Sequence, residues 1–130
     1  MNFGLLVVPF HKPGNELAHT IKEDLHTIIL ADELGVHEAW VGEHFTGRWT
    51  NLPAPDLFIA KALEHTKNIK LGTGVVLLQL HDPKMLAHRV AVLDHLAEGR
   101  FQFGIGTGGT HTDFEFFGIE REKRHAVAVD

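Results

Sequence analysis

The chain has 130 residues, 44% of them hydrophobic and 22% charged, the composition of one globular domain and not of a disordered segment. Twelve basic residues against 17 acidic ones leave a net charge of -5 with histidine neutral, which argues against a nucleic-acid binder with its basic stripe. No apolar run approaches the roughly 20 residues that cross a bilayer, and residues 1–10 lack the basic flank and cleavage site of a signal peptide. The absence of cysteine excludes a disulfide scaffold and thiolate chemistry, and a cytoplasmic protein is expected.

Residues 3–9 (FGLLVVP) form a continuous apolar run, as in a strand buried on both faces. Pro13, Gly14 and Asn15 break it, with Asn15 placed to cap a helix. Leu17, Ile21, Leu25 and Ile28 mark one face of that helix over 16–34, with Gly35 as its stop. EAWVGEHF at 38–45 reads as a second strand, and Asp56 as the cap of a second helix over 56–67 carrying Leu57, Phe58, Ile59, Ala62 and Leu63. A third strand is predicted over 69–78. Asp82-Pro83 is a strong start for a third helix over 83–98, with Leu86, Val90, Leu93 and Ala97 on one face and Gly99 as its stop. FQFGIG at 101–106 is the fourth strand.

Strand starts at 3, 38, 70 and 101 lie 35, 32 and 31 residues apart, the length of one strand plus a crossover helix. Strands joined by such crossovers are parallel, and the crossovers right-handed. After Gly118 the segment IEREKRHAVAVD opens like a fourth helix that reaches Asp130 without a cap or a fifth strand. The expectation is therefore an α/β chain, the N-terminal half of a (β/α)8 TIM-type barrel, which takes about 250 residues when complete. A small doubly wound sheet is the competing topology.

Three motifs invite chemistry. Gly104-Ile105-Gly106-Thr107-Gly108-Gly109 fits G-x-G-x-x-G after a strand, but residues 110–114 read as loop, and no acidic residue ends a second strand about 20 positions on. The plainer reading is a strand end that lets a flat ligand or a neighbouring strand come close. Eleven histidines suggest metal, yet no H-x-x-x-H occurs, and His19 with Glu23 reads as a surface pair. No metal site is assigned. Glu43-His44 closes a strand at the end where parallel α/β folds place reacting groups, and histidine can exchange a proton near neutral pH. A strand-end hydrogen bond is the plainer role for His44. Trp40 and Trp49 read as core and loop packing.

Taken together, FGLLVVPFH, EAWVGEHF, the stretch NIKLGTGVVLLQLHDPKMLAHRVAVLDHLAEGRFQFGIGTGG and the tail DFEFFGIEREKR resemble the luciferase-like family of flavin-dependent monooxygenases. Their order and spacing match over nearly the whole chain, which corresponds to the N-terminal part of that family's barrel. The likeness is to the terpene-oxidising and luciferase type more than to the deazaflavin branch.

The resemblance implies that reduced FMN, delivered by a separate reductase, and O2 oxidise a small organic substrate. A deazaflavin coenzyme is the alternative cofactor. It implies that His44 stands beside the flavin and manages protons, and that the bulge at Gly74 and Val75 holds a cis peptide against the ring. Gly106 and Thr107 face the flavin from the fourth strand. Luciferases carry a cysteine near Gly106 and a phosphate-holding arginine near Thr107; this chain has neither, which argues against light emission. Arg121 or Arg124 is a substitute for the phosphate contact. A non-catalytic, flavin-binding or assembly remnant is the alternative function. Open barrel edges imply self-association.

Overall fold

The computed structural model describes residues 1–120. In chain order the elements are β1 (Gly4–Val7), α1 (Leu17–Glu33), β2 (Glu38–Val41), α2 (Pro55–Leu63), β3 (Lys70–Thr73), β4 (Val76–Leu77), a 3-10 turn (Leu78–Leu80), α3 (Pro83–Ala97), β5 (Phe101–Gln102), β6 (Ile105–Gly106) and α4 (His111–Phe116). The main sheet runs β1-β2-β3-β5 and a two-stranded extension pairs β4 with β6. Every strand pairing is parallel. Two antiparallel bridges, Phe10 with Thr50 and His44 with Leu52, join loops and not successive strands.

Each new strand adds beside the previous one, always on the same side. A dinucleotide-binding sheet instead reverses direction after its first strands. Sequential winding is that of the first units of a (β/α)8 barrel, so the glycine-rich motif does not introduce a Rossmann fold here.

The predicted third and fourth strands are each interrupted. The third breaks between Thr73 and Val76 and the fourth between Gln102 and Ile105. The second ends at Val41, not at residue 45, and the first spans only Gly4–Val7. The predicted helix over 56–67 runs from Pro55 to Leu63. Residues 110–114, read as loop, lead into and begin the short helix α4, His111–Phe116. The expected fourth helix, from residue 119 on, lies largely outside the described residues.

Capping chemistry decides several ends. Asp82 Oδ1 accepts the Met85 N–H at 2.9 Å, with Pro83 at the first helical position. Gly35 follows the Leu34 cap of α1 with φ +76, a conformation that a Cβ disfavours. Asn15 is not the cap of α1; Glu16 occupies that position and makes no side-chain cap bond. Nor does Asp56 cap α2. Ala54 does, and Asp56 in the first turn instead pairs with Arg89 of α3.

Packing follows the alternation of strand side chains. Val7, Ala39, Val41 and Leu71 point to the helices and form one core with Ile28, Ile59, Ala62, Leu93 and Ala97. Apolar exposure differs on the other face. Leu6, on the face of β1 turned away from the helices, is 62% exposed within this chain. Leu17 and Leu57 are likewise exposed, because each lies at a helix start turned away from the sheet. Trp40 lies over the bare Cα of Gly72, where a Cβ would stand 2.5 Å from its ring.

At the N-terminal end of the sheet, Asp32 at the close of α1 accepts the N–H groups of Lys67, Asn68 and Ile69 at 2.7, 2.9 and 2.7 Å. Burial acts to raise this carboxyl, but those three donors and the nearby Arg100 charge outweigh it and hold it below its ordinary value. Arg100 in turn donates to Thr66 Oγ1 at 3.0 Å and to the Leu63 carbonyl at 3.2 Å. Both clamps fix where β3 and β5 enter the sheet.

Candidate functional site

The C-terminal strand ends are level, since Val7, Val41 and Thr73 are register partners. Beyond them the ladder continues for one rung each, Gly42 N–H to the Val7 carbonyl at 3.2 Å and Gly74 N–H to the Val41 carbonyl at 2.7 Å. Loops leaving at this level form the face on which parallel barrels carry their chemistry. A cleft of about 110 Å³ opens there, lined by Glu43, His44, Gly74, Val75, Leu77, Gly108, Gly109 and Thr110.

His44 sits three residues past the end of β2. Its N–H donates to the Leu52 carbonyl at 3.1 Å, which anchors its backbone. Its half-buried ring makes no side-chain hydrogen bond among the described residues. A Cβ on Gly42 would stand 3.3 Å from His44 Nε2 and 3.7 Å from the Gly74 carbonyl oxygen, so both atoms flank the bare Cα of Gly42. The Gly74–Val75 peptide bond is cis.

Gly106 pairs with Leu77 across β4 and β6, and a Cβ on it would stand 2.7 Å from Val75 Cγ2. Thr107 comes next, its carbonyl accepting from Gln79 Nε2 at 2.6 Å. His44, Gly74 and Val75 thus line one cleft, while Gly106, packed against Val75, and Thr107 do not line it. Arg121 and Arg124 lie outside the described residues.

Behind the cleft, polar side chains brace its three walls. Glu43, 4% exposed, accepts the Leu77 N–H through Oε2 and meets His81 Nε2 through Oε1, both at 2.8 Å. Asp113 of α4 is fully buried; its Oδ1 accepts the Thr46 N–H at 2.8 Å and the Thr46 hydroxyl at 2.6 Å. Asp113 Oδ2 and Gln79 Oε1 are buried without a hydrogen-bond partner among the described residues. Sequence reasoning missed His81, Gln79, Thr46 and Asp113, and saw Glu43 only as an acidic neighbour of His44. Their partners lie 28 to 67 residues away in the chain, and no local pattern marks them. The one available signal was the unusual pair of charge-capable residues, Glu43-His44, within an apolar strand.

Size does not mark the site. A larger cavity of about 590 Å³ lies between α3 and β5 and is walled by apolar groups such as Leu86, Val90, Phe101 and Phe103. Few polar groups converge there, whereas the smaller cleft combines an imidazole, a buried carboxylate and backbone amides.

Comparison with known proteins identifies the family of the chain. The sequence model of one family, luciferase-like monooxygenase, matches residues 1–130. The 4-hydroxyprotoasukamycin monooxygenase of Streptomyces nodosus subsp. asukaensis is 42% identical over 100% of this chain and 36% of its own length. The limonene 1,2-monooxygenase of Rhodococcus erythropolis is 38% identical over 92% of this chain and 31% of its own. Among solved structures, the oxygenating constituent of 3,6-diketocamphane monooxygenase from Pseudomonas putida, in complex with FMN, superposes with a TM-score of 0.94 at 30% identity, over 99% of this chain and 36% of that one. The chain therefore spans about a third of the length of the relatives it matches. With the family's match running from the first residue to the last, the chain belongs to the luciferase-like monooxygenases.

Proposed function

We propose that this chain supplies the flavin-facing N-terminal part of an FMN-dependent monooxygenase that oxidises a small organic substrate with O2, using reduced FMN delivered by a separate reductase. The observation that carries this reading is the cleft in which the unbonded His44 ring stands at the Gly74–Val75 peptide. The residues present fit a flat ring system. Gly109, where a Cβ would meet nothing within 4 Å, bares backbone to the cleft, where a planar group can approach closely, and Val75 and Leu77 give it apolar surface. The FMN complex of the similar Pseudomonas putida protein supports the choice of cofactor.

When bound, reduced FMN supplies the electrons that activate O2. The protein's part is positional and protic. His44, backbone-anchored to Leu52, holds a ring nitrogen free to give or take a proton at the cleft. Val75 and Leu77 exclude water from the adjoining surface. Thr110 completes the lining of the cleft.

The test is His44→Ala in turnover with reduced FMN, a reductase and O2. General acid/base assistance is worth about 10²–10⁴ in rate, so at least a tenfold loss is expected, with FMN binding and the melting temperature nearly unchanged. His88→Ala, on the exposed side of α3, leaves turnover intact. Full activity in His44→Ala, or loss only through unfolding, returns the residue to a structural role.

FMN affinity in the isolated chain is expected to be low, because the arginine expected near Thr107 is absent. Self-association belongs to the same reading. β1 is an edge of the sheet among the described residues, and Phe3 just before it and Leu6 within it are 64% and 62% exposed. Light scattering that shows only monomer at high concentration counts against it.

A further inference from the structure

Consecutive side chains leaving a strand diverge, and Glu43 and His44 do so at the mouth of the cleft. The His44 ring turns over Gly42, while the Glu43 carboxylate turns inward, its side chain 1% exposed. We propose that Glu43 and His81 form a positioning pair that sets where the His44 ring stands relative to the Gly74–Val75 peptide. This rests on the reading of the cleft as the flavin site.

Three observations carry it. Among the described residues, the Gly74 N–H to the Val41 carbonyl is the last backbone hydrogen bond between the segment leaving β2 and the segment leaving β3. Past that rung, Glu43 takes over the link: its Oε2 holds the Leu77 N–H at 2.8 Å, two residues beyond Val75. One carboxylate thus spaces the backbone of His44 from the backbone of the cis peptide.

The second observation is the grip on both sides of His44. His81 meets Glu43 Oε1 at 2.8 Å, and its ring lies 6.4 Å, centroid to centroid, from that of Phe45. The residues immediately before and after His44 therefore touch the same imidazole. Phe45 is backed in turn by Phe117, edge-on at 4.8 Å. A ring whose two chain neighbours are clamped has little backbone freedom left.

The third is energetic. Burying a polar side chain costs stability that apolar side chains of the same volume would not lose. Both Glu43 oxygens are nonetheless buried and fully used, which suits a part that specifies geometry. Catalytic groups need placement within a few tenths of an ångström, and a 1 Å error can cost about 10²-fold.

The experiment compares wild type, His81→Ala, His81→Gln and Glu43→Gln. It reads the His44 ring signals by ¹H–¹⁵N NMR without flavin, assigned by their loss in His44→Ala, and FMN affinity by fluorescence titration. His81→Ala and Glu43→Gln are expected to shift and broaden the His44 ring signals. His81→Ala should weaken FMN binding by about tenfold, as loss of a charge-assisted bond does. His81→Gln, whose amide can donate to Glu43 Oε1, should restore both readouts, which a merely space-filling role does not predict. Unchanged His44 signals in both His81→Ala and Glu43→Gln overturn the proposal. Should His81→Ala fail to fold, Glu43→Gln, which keeps the side-chain volume, decides alone. Absence of saturable FMN binding in the wild-type full-length enzyme refutes the flavin reading itself, while the ring signals still judge the pair.

Discussion

Replacing Gly104 by alanine tests the close approach that brings the third and fourth strand ends together. A Cβ at this position would stand 2.1 Å from the Thr73 carbonyl oxygen and 3.3 Å from both the Thr73 carbonyl carbon and Trp40 Cζ3. The obstacle is backbone, so no rotamer change relieves it. Retreat of either strand breaks a reciprocal pair, Thr73 Oγ1 to the Gly104 carbonyl at 2.8 Å and Gly104 N–H to Thr73 Oγ1 at 3.0 Å. Overpacking costs about 1–3 kcal/mol, and each lost hydrogen bond adds about 1 kcal/mol. The expected destabilisation is about 3–5 kcal/mol, a large part of the 5–15 kcal/mol that holds a typical domain. Gly109 is the control. No atom lies within 4 Å of a Cβ placed there, and its φ is not positive, so Gly109→Ala should shift stability by less than about 0.5 kcal/mol or stabilise slightly. Urea unfolding monitored by far-UV circular dichroism measures both, with the slope m compared to ensure that the same surface is exposed. A Gly104→Ala protein within about 1 kcal/mol of wild type would refute the packing argument.

At the other end of the sheet, the Asp32 carboxylate is held below its ordinary value, so it stabilises the fold fully above the unfolded value of about 3.9. That contribution is lost as pH falls past the unfolded value and through the lower folded one. Asp32→Asn should flatten the acid limb of stability against pH and lower stability at neutral pH; an unchanged acid limb would show that the three N–H bonds do not hold the charge. Gly106→Ala would place a Cβ 2.7 Å from Val75 Cγ2, displacing Val75 at the cleft. It should weaken FMN binding by about three- to tenfold with a smaller effect on melting, since a side-chain methyl can move where a backbone oxygen cannot. Equal FMN affinity in wild type and Gly106→Ala would separate Val75 from the ligand.

How much was legible differs between fold and cleft, and the reason is range. The helices at 17–33 and 83–97 are encoded by apolar spacing and by Asp82-Pro83, signals that act within one or two turns. Parallel pairing comes from unit length, because about 30 residues must return the chain to the same edge. Sequence alone therefore determined that the strands run parallel and that His44 lies near the C-terminal end of the second; it left the winding between a barrel and a doubly wound sheet, and it ran the second and third strands past Val41 and Thr73, where the structure ends them. Tertiary packing decided the rest. Asn15 and Asp56 carry good capping side chains, yet α1 begins at Leu17 and α2 at Pro55, with Asp56 drawn off to Arg89 on α3. Strand 101–106 divides at Gly104, where Thr73 crosses it from 31 residues away. Glu43 meets His81 across 38 residues and Thr46 meets Asp113 across 67. A carboxylate's short-range neighbours bias its local backbone, but its partner is whichever donor the packed core leaves within reach, and only the assembled structure contains that fact.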